Sequence, residues 1–221
     1  MSEKYGNLRK EVEKFGKNIR IVVVTKYVDD IEIISKLADV GITEIAESYA
    51  QQMLKKYNEL QTLNAHQKYI WHFVGHLQKN KVNKVVPLVE YIQSVDSIEL
   101  AEKINTTANK LNKVCNCLVE LKVSEEETKF GVKEDEIFEF VESLISKKFS
   151  NIQIVGLMTM APYFDNPELT RPYFKRAYEI FCKLKTKIKG FDILSMGMSN
   201  DYRVALEEGS NMLRIGSLLF S

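Results

Sequence analysis

The sequence predicts an α/β protein whose parallel strands close into a single (β/α)₈ barrel of the TIM type. Two observations support this fold class. Short apolar runs alternate with segments of helical periodicity along the 221 residues, and strands that alternate with helices form parallel sheets through right-handed crossovers. The apolar runs also number eight, the count that closes such a sheet into a barrel. An open, doubly wound sheet is the alternative that the pattern leaves.

The predicted strands are apolar runs bounded by charged residues or turn signals. The first covers residues 20–26 and contains I-V-V-V, a β-branched run typical of a strand that is covered on both faces. The other seven predicted strands have the same character and cover residues 44–48, 70–75, 91–95, 116–123, 154–160, 193–198 and 212–219.

The predicted helices are segments whose apolar residues recur every three or four positions. Glycine, which is common just beyond a helix end, ends two of them, at Gly41 and Gly190. The others cover residues 49–60, 80–89, 100–111, 137–145 and 200–208. The eighth strand has no helix after it, so we expect an amphipathic N-terminal helix within residues 5–15 to cover that part of the barrel.

The balance of charge and the lack of long apolar runs limit the classes of partner. Lysine plus arginine (31) nearly equals aspartate plus glutamate (30), which argues against binding to a phosphate backbone or an anionic membrane surface. The N-terminus lacks the apolar segment of a signal peptide, and no run approaches the ~20 residues that span a bilayer. Three cysteines fit no disulfide framework. We therefore expect a cytoplasmic protein with one domain, residues 1–221, that binds neither nucleic acid nor membrane.

A lysine at the end of the first predicted strand is the most informative candidate for chemistry. Period-2 alternation places Val22, Val24 and Lys26 on one face of that strand. If this face points into the barrel, Lys26 lies at the carboxyl end, where barrel active sites lie. Burial there would lower the pKa of the amine and favour its attack on an aldehyde. A strand-end lysine that reaches out to water is the alternative that spacing alone leaves open.

The last third of the chain carries two candidate phosphate contacts. Residues 197–201 end the seventh predicted strand and open a helix, so the Ser199 hydroxyl and the first helical amides are suited to hold a dianion. Gly216 follows Arg214 closely and lets the backbone approach a ligand. Barrels often bind phosphate with the loops after strands seven and eight. Together with Lys26, these residues predict a site for a phosphorylated aldehyde.

Several motifs, in this order, resemble those of the pyridoxal phosphate homeostasis protein family. They are V-T-K ending at Lys26, W-H-F-V-G-H-L-Q-K-N-K at 71–81, G-L-M at 156–158, S-M-G-M-S at 195–199 and R-I-G at 214–216. The resemblance extends over nearly the whole chain and implies a barrel like the N-terminal domain of alanine racemases. It also implies a protein that binds pyridoxal 5'-phosphate (PLP) and buffers it or supplies it to dependent enzymes.

The resemblance assigns roles to individual residues. Lys26 would hold PLP as an internal aldimine, and Ser199, Gly216 and Ser217 would contact its phosphate. Similarity to alanine racemases places Arg214 at the pyridine nitrogen. Because arginine is a donor that keeps its proton, the nitrogen beside it would stay unprotonated, which makes the cofactor a poorer electron sink. The resemblance thus implies a carrier, expected to be a monomer, with PLP-dependent enzymes as recipients and weak racemase activity at most.

Two departures from the family pattern affect the predicted site. A-E-S-Y at 46–49 stands where the family usually has G-E-N-Y, so the shorter Ser48 would reach the cofactor only through water. Met198, in the S-M-G-M-S motif, is the remaining predicted cofactor contact. The chain ends at Ser221 without the usual glycine-containing tail. It also ends without the second domain from which similar racemases supply a tyrosine base, and this supports the expectation of a carrier.

Two enzyme classes are the alternatives to a carrier. One is a class I aldolase-type lyase acting on a phosphosugar, for which Lys122 and Lys129 rival Lys26 as the Schiff-base residue. The other is a low-level amino-acid racemase. No metal is expected at His72 and His76, because residues four apart on one strand face are separated by roughly 13 Å. The acidic segment 124–129 is interpreted as a solvated loop.

Overall fold

The computed structural model describes residues 1–16, 18–124 and 130–221, and its strands form a closed parallel barrel. Eight strands pair in chain order and the last pairs with the first. Those strands are β1 (Arg20–Val24), β2 (Glu44–Glu47), β3 (Ile70–Phe73), β4 (Tyr91–Val95), β5 (Cys115–Lys122), β7 (Ile152–Thr159), β8 (Ile193–Ser195) and β9 (Met212–Ile215). A two-residue strand, β6 (Val132–Lys133), pairs with the end of β5. The predicted barrel is therefore confirmed, and the open sheet is wrong.

Helices follow the strands and cover the outside of the barrel. They are α1 (Ser2–Val12), α2 (Ile31–Ser35), α3 (Ala50–Thr62), α4 (Val82–Val85), α5 (Ile98–Lys110), α6 (Ile137–Ser146), α7 (Arg171–Lys187), α8 (Tyr202–Glu207) and α9 (Ser217–Phe220). The helix predicted over 80–89 is instead one α-helical turn, α4, between two short 3₁₀ turns. Within the described ranges, no helix combines the length and the hydropathy that a bilayer crossing requires.

The N-terminal helix packs against the outside of the barrel, as the sequence predicts. It buries Tyr5, Leu8 and Val12, three of the four apolar residues expected on that face, whereas the fourth, Phe15, lies beyond the helix and is exposed. The Glu11 carboxylate accepts a hydrogen bond from the Tyr202 hydroxyl at 3.0 Å, which ties α1 to α8. The helix therefore covers the barrel beside β1 and β9.

The last barrel strand ends earlier than the sequence predicts. The sequence predicts a strand over 212–219, but β9 ends at Ile215 and the helical turn α9 begins at Ser217. Gly216 has φ −126° and ψ −85°, which turns the chain out of the extended conformation. The Ser199 hydroxyl then accepts hydrogen bonds from the Gly216 and Leu218 N–H groups, both at 3.2 Å. The apolar sequence of this segment concealed a turn that depends on a partner 17 residues away.

Apolar side chains pack in two separate layers on the two faces of the sheet. The large core lies between strands and helices and includes Val23 and Trp71. A small cluster inside the barrel contains Val22, Ala46 and Met212, with Val24 packed against it. The alternation along β1 therefore places Val22 and Val24 inside the barrel, and polar residues occupy much of the remaining interior.

Candidate functional site

Neighbouring strands bring several of the predicted site residues to the carboxyl end of the barrel. β1 and β2 pair Val24 with Ala46, so Lys26 and Ser48 lie at the same level just beyond these two strands. Gly216 follows β9 on the other side of β1, where an added Cβ would lie 3.3 Å from the Val24 carbonyl oxygen. This register places the lysine between the serine and the glycine.

Lys26 lies in the turn directly after β1 and is half-buried. Its Nζ is 4.8 Å from the centroid of the Tyr27 ring, and Tyr27 itself is 80% exposed. The sequence predicts Lys26 as the last residue of the strand, but β1 ends at Val24. Its amine therefore belongs to a turn at the barrel mouth rather than to the regular strand.

A buried ion pair holds the backbone just before Lys26. The Lys56 ammonium of α3 donates hydrogen bonds to the Thr25 carbonyl and to Glu47 Oε1, both at 2.7 Å. The Thr25 hydroxyl donates to the same carboxylate oxygen at 2.6 Å. Buried charges are tolerated when they are paired and hydrogen-bonded in this way. The sequence reasoning missed this cluster, although a glutamate inside an apolar strand was a signal for a buried partner.

The phosphate-side residues come together on the loops after β8 and β9. The Ser199 hydroxyl accepts the two N–H bonds from Gly216 and Leu218, so donors from the start of α9 converge on one oxygen. Ser217, the first residue of α9, is exposed. Three of the predicted phosphate contacts, Ser199, Gly216 and Ser217, therefore lie within one loop pair at the barrel mouth.

The turn that carries Ser199 is shaped by a glycine and an aspartate. Gly197 has φ +92°, in the left-handed region that glycine adopts without strain, and an added Cβ would lie 2.5 Å from the Ala205 Cβ. Asp201 Oδ1 accepts the Met198 N–H at 2.6 Å. Met198 thus has its backbone donor engaged, and its side chain is 37% exposed.

Arg214 lies inside the barrel, one layer below Gly216, and is 3% exposed. Its guanidinium donates from NH1 to the Ser195 hydroxyl at 2.7 Å and from NH2 to the Thr159 carbonyl at 2.8 Å. Burial lowers the pKa of Arg214 to about 10, while the nearby charges of Asp201 and Glu120 act in the opposite direction. The guanidinium therefore stays charged at neutral pH and acts as a donor.

A row of buried polar side chains continues from Arg214 across the barrel interior. The Ser195 hydroxyl donates to Gln93 Oε1 at 2.7 Å, and Gln93 Nε2 lies 3.0 Å from His72 Nδ1. His72 Nε2 lies 3.1 Å from Glu44 Oε2. The Glu44 carboxylate accepts from Arg20 Nε at both oxygens, at 3.0 Å, and from NH2 at 2.7 Å. Sequence reasoning missed Gln93, whose only signal was an amide in the middle of an apolar strand.

Opposite Lys26, β5 and the loops after β3 and β4 contribute acidic and aromatic groups. Burial raises the pKa of Glu120 to about 7; the charge of Asp96 raises it further and that of Arg214 opposes the rise. Asp96 Oδ2 lies 3.4 Å from His76 Nδ1, and the His76 ring stacks on Phe130 with centroids 3.6 Å apart. The barrel mouth thus has a basic side and an acidic side.

The two histidines set aside as metal ligands do not form a pair, and the rival lysine Lys122 lies across the barrel from Lys26. His72 lies inside the barrel and His76 lies beyond β3, which ends at Phe73, so the two do not share a strand face. Among residues 1–16, 18–124 and 130–221, no group of three potential metal ligands is arranged to hold an ion. Lys122 lies at the end of β5, in register with Lys133 of β6. Lys129 and most of the acidic segment, residues 125–129, lie outside the described residues.

The fold and this arrangement of a mouth lysine above an interior arginine define a class of barrel, the N-terminal domain of alanine racemases, whose family model matches residues 3–221. Among curated relatives, the pyridoxal phosphate homeostasis protein of Aquifex aeolicus (strain VF5) is 40% identical over 86% of this chain and 81% of its own length. That of Homo sapiens is 35% identical over 81% of this chain and 68% of its own length. The chain belongs to the pyridoxal phosphate homeostasis protein family.

Solved structures support the same relationship. PipY of Synechococcus elongatus PCC7942 without PLP is 27% identical, has a TM-score of 0.89, and is matched over 100% of this chain and 99% of its own. The PLP-bound structure of PipY has a TM-score of 0.87 at 26% identity. An alanine racemase from Clostridium difficile 630 has a TM-score of 0.73 at 18% identity, and this chain covers 56% of it. The racemase shares the fold.

Proposed function

We propose that this protein binds pyridoxal 5'-phosphate through Lys26 and maintains the cell's supply of the cofactor by holding and releasing it. The names of the relatives and the PLP-bound structure of PipY support the proposal. The observation that carries it is the position of Lys26 between Ser48 and the Ser199–Gly216 loop pair at the barrel mouth, with Arg214 beneath. The proposal takes residues 1–221 as one cytoplasmic PLP-binding domain.

The residues at the barrel mouth fit the phosphate and the aldehyde of the cofactor. The Ser199 hydroxyl suits a phosphate, because its oxygen accepts the Gly216 and Leu218 N–H groups and its own proton is left to donate to an anion. The missing side chain of Gly216 leaves room at the Val24 carbonyl, which a Cβ would approach to 3.3 Å. When bound, PLP supplies an aldehyde that condenses with a lysine amine, with loss of water. Lys26 is the mouth lysine placed to provide that amine.

Arg214 favours retention of the cofactor over catalysis on it. Its pKa of about 10 keeps the guanidinium protonated at neutral pH, and a guanidinium offers only donors. A pyridine nitrogen beside it acts as an acceptor and stays unprotonated, which weakens the electron-withdrawing power on which carbanion chemistry depends. We therefore propose a carrier whose partners are PLP and PLP-dependent enzymes. A monomer is sufficient, because one chain supplies every residue of the proposed site.

The first test replaces the proposed attachment residue. Lys26→Ala should abolish the visible absorbance that the wild-type protein develops with PLP, because Lys26 is the lysine that follows β1, between Ser48 and Gly216. Borohydride reduction followed by peptide mass spectrometry should locate the cofactor on Lys26 in the wild-type protein. Lys122→Ala, which changes a half-buried lysine at the end of β5, should leave both results unchanged. A yellow Lys26→Ala protein, or a label on Lys122, would contradict the proposal.

A further inference from the structure

Three buried polar residues lie directly beneath the proposed cofactor site and have no part in the function proposed so far. Ser195, Gln93 and His72 are fully buried and lie on three different strands, β8, β4 and β3. They connect Arg214 near the barrel mouth with Glu44 at the start of β2 through contacts of 2.7 to 3.1 Å. Desolvation of Ser195 and Gln93 is tolerated because both are hydrogen-bonded, whereas His72 Nε2 has a close contact with the Glu44 carboxylate that lacks hydrogen-bond geometry.

The chemistry of the two ends assigns one direction to every hydrogen bond in the row. Arg214 can only donate, so the Ser195 oxygen accepts from it and the Ser195 proton is given to Gln93 Oε1. The Gln93 amide nitrogen then donates to His72 Nδ1, which places the imidazole proton on Nε2, facing Glu44. The tautomer and the amide orientation follow from this network.

The charged end of the row prevents the reverse arrangement. Arg20 donates from Nε and NH2 to Glu44, and the negative charge of this carboxylate, 3.1 Å from His72 Nε2, favours a proton on that nitrogen. Burial also lowers the pKa of His72, in keeping with a neutral ring whose Nδ1 accepts. A flipped Gln93 amide would turn Oε1 toward His72 Nδ1, so Nδ1 would need the proton and the bare Nε2 would face the Glu44 carboxylate 3.1 Å away.

We propose that Gln93 and Ser195 are positioning residues for the cofactor: they hold the Arg214 guanidinium with an N–H group directed at the pyridine nitrogen. The inference rests on the proposed function and assigns these two residues a part in recognising the ring. Ser195 and the Thr159 carbonyl engage NH1 and NH2 on separate strands, so the plane of the guanidinium is fixed before the cofactor arrives. Preorganisation of this kind improves affinity by lowering the ordering cost of binding.

The test compares PLP with its analogue in which CH replaces the ring nitrogen, using titrations of visible absorbance. Both ligands carry the aldehyde and the phosphate, so the ratio of their dissociation constants isolates the contact with the nitrogen. The wild-type protein should prefer PLP by about tenfold, the effect of one well-aligned hydrogen bond to a charged donor. Gln93→Met and Ser195→Ala should bring the ratio close to one, mainly by weakening PLP.

A matched control and a rescue separate positioning from general packing. Ser94→Ala changes the next residue on β4, which is equally buried and whose hydroxyl has no hydrogen-bond partner among the described residues. It should keep the wild-type ratio. Ser195→Thr restores a hydroxyl and should restore the preference for PLP. Thermal unfolding of each variant without ligand shows whether it folds. If Gln93→Met does not fold, Ser195→Ala, the smaller change, still tests the inference.

The possible outcomes distinguish this inference from the proposed function. A wild-type ratio near one, or folded variants that keep the wild-type ratio, would overturn the positioning role while PLP binding still stands. A wild-type protein that binds neither ligand would overturn the proposed function itself. Loss of affinity for both ligands in equal proportion in Ser195→Ala would indicate a packing role and would also overturn the inference.

Discussion

Glu120, on β5, is a buried carboxyl whose protonation depends on its neighbours. It is 5% exposed, and burial is the main cause that raises its pKa from 4.5 to about 7. The folded protein therefore keeps a proton on Glu120 that the unfolded chain loses above its ordinary pKa. Consequently this group lowers the free energy of unfolding as pH rises from about 4.5 to about 7, by up to about 3 kcal/mol.

We expect Glu120→Gln to remove this pH dependence. The difference in free energy of unfolding between variant and wild type should shift in favour of the variant as pH rises across the window, by up to about 3 kcal/mol. Urea denaturation at several pH values between 4.5 and 7.5 measures it. Glu179→Gln, at an exposed position of α7, is the control for loss of a carboxylate that is not buried. A difference for Glu120→Gln that stays flat across the window would rule out the raised pKa.

At the scale of the elements, β7 and β8 approach each other closely at Gly156. An added Cβ at this position would lie 1.8 Å from the Ile193 carbonyl oxygen, a separation that neither strand can relieve without moving its backbone. Gly156 belongs to the G-L-M motif at 156–158. Strand packing therefore requires the glycine of this motif whether or not a ligand binds. The same strand pairing positions Ser195, whose hydroxyl accepts a hydrogen bond from Arg214.

Two glycine substitutions should therefore have opposite effects on stability. Gly156→Ala should lower the free energy of unfolding by about 3 kcal/mol or more, because it overpacks a paired strand. Gly6→Ala, in α1, where an added Cβ meets nothing within 4 Å, should raise it by about 0.5 to 1 kcal/mol through better helix propensity. Urea midpoints of the two variants test both signs, and a neutral Gly156→Ala would show that the barrel adjusts freely there.

For the whole molecule, binding of PLP should stabilise the folded barrel against the unfolded chain. A ligand at 100 times its dissociation constant adds about 2.7 kcal/mol, which for a domain of this size raises the melting temperature by about 5 to 10 °C. Thermal unfolding with and without PLP measures this shift. Lys26→Ala should show a much smaller shift at the same PLP concentration, and an equal shift in both proteins would place the binding elsewhere.

The architecture of the whole molecule was largely predictable, because alternating strands and helices leave few ways to bury both faces of a parallel sheet. The predicted strands all exist, although their ends shifted by a few residues. The error over 212–219 has a physical cause: an apolar segment reads as a strand, whereas Gly216 and the distant Ser199 hydroxyl make it a turn. Local pattern cannot reveal a hydrogen bond between loops.

The candidate site was predictable only where its residues carry recognisable motifs. Lys26, Ser199 and Gly216 come together at the mouth because strand order and register follow from the fold. The Gln93–Ser195 and Lys56–Glu47 contacts were not predictable, since they depend on which side chains meet across the barrel or between α3 and β2. A buried amide or carboxylate in an apolar strand signals a partner without saying which residue it is.

The Lys56–Glu47 pair also has an entropic consequence for the neighbouring lysine. Because Lys56 holds the Thr25 carbonyl and the Thr25 N–H bonds to Ala46 at 3.0 Å, the peptide that leads into Lys26 is already immobile. Ordering a backbone residue costs about 1 to 2 kcal/mol of conformational entropy. Here that entropy is lost when the chain folds and not when a ligand binds. Capture of an aldehyde then restricts mainly the rotamers of one side chain, about 2 kcal/mol for lysine. This suits a protein that binds its ligand reversibly, because the conformational entropy of the backbone hardly changes when the ligand binds or dissociates.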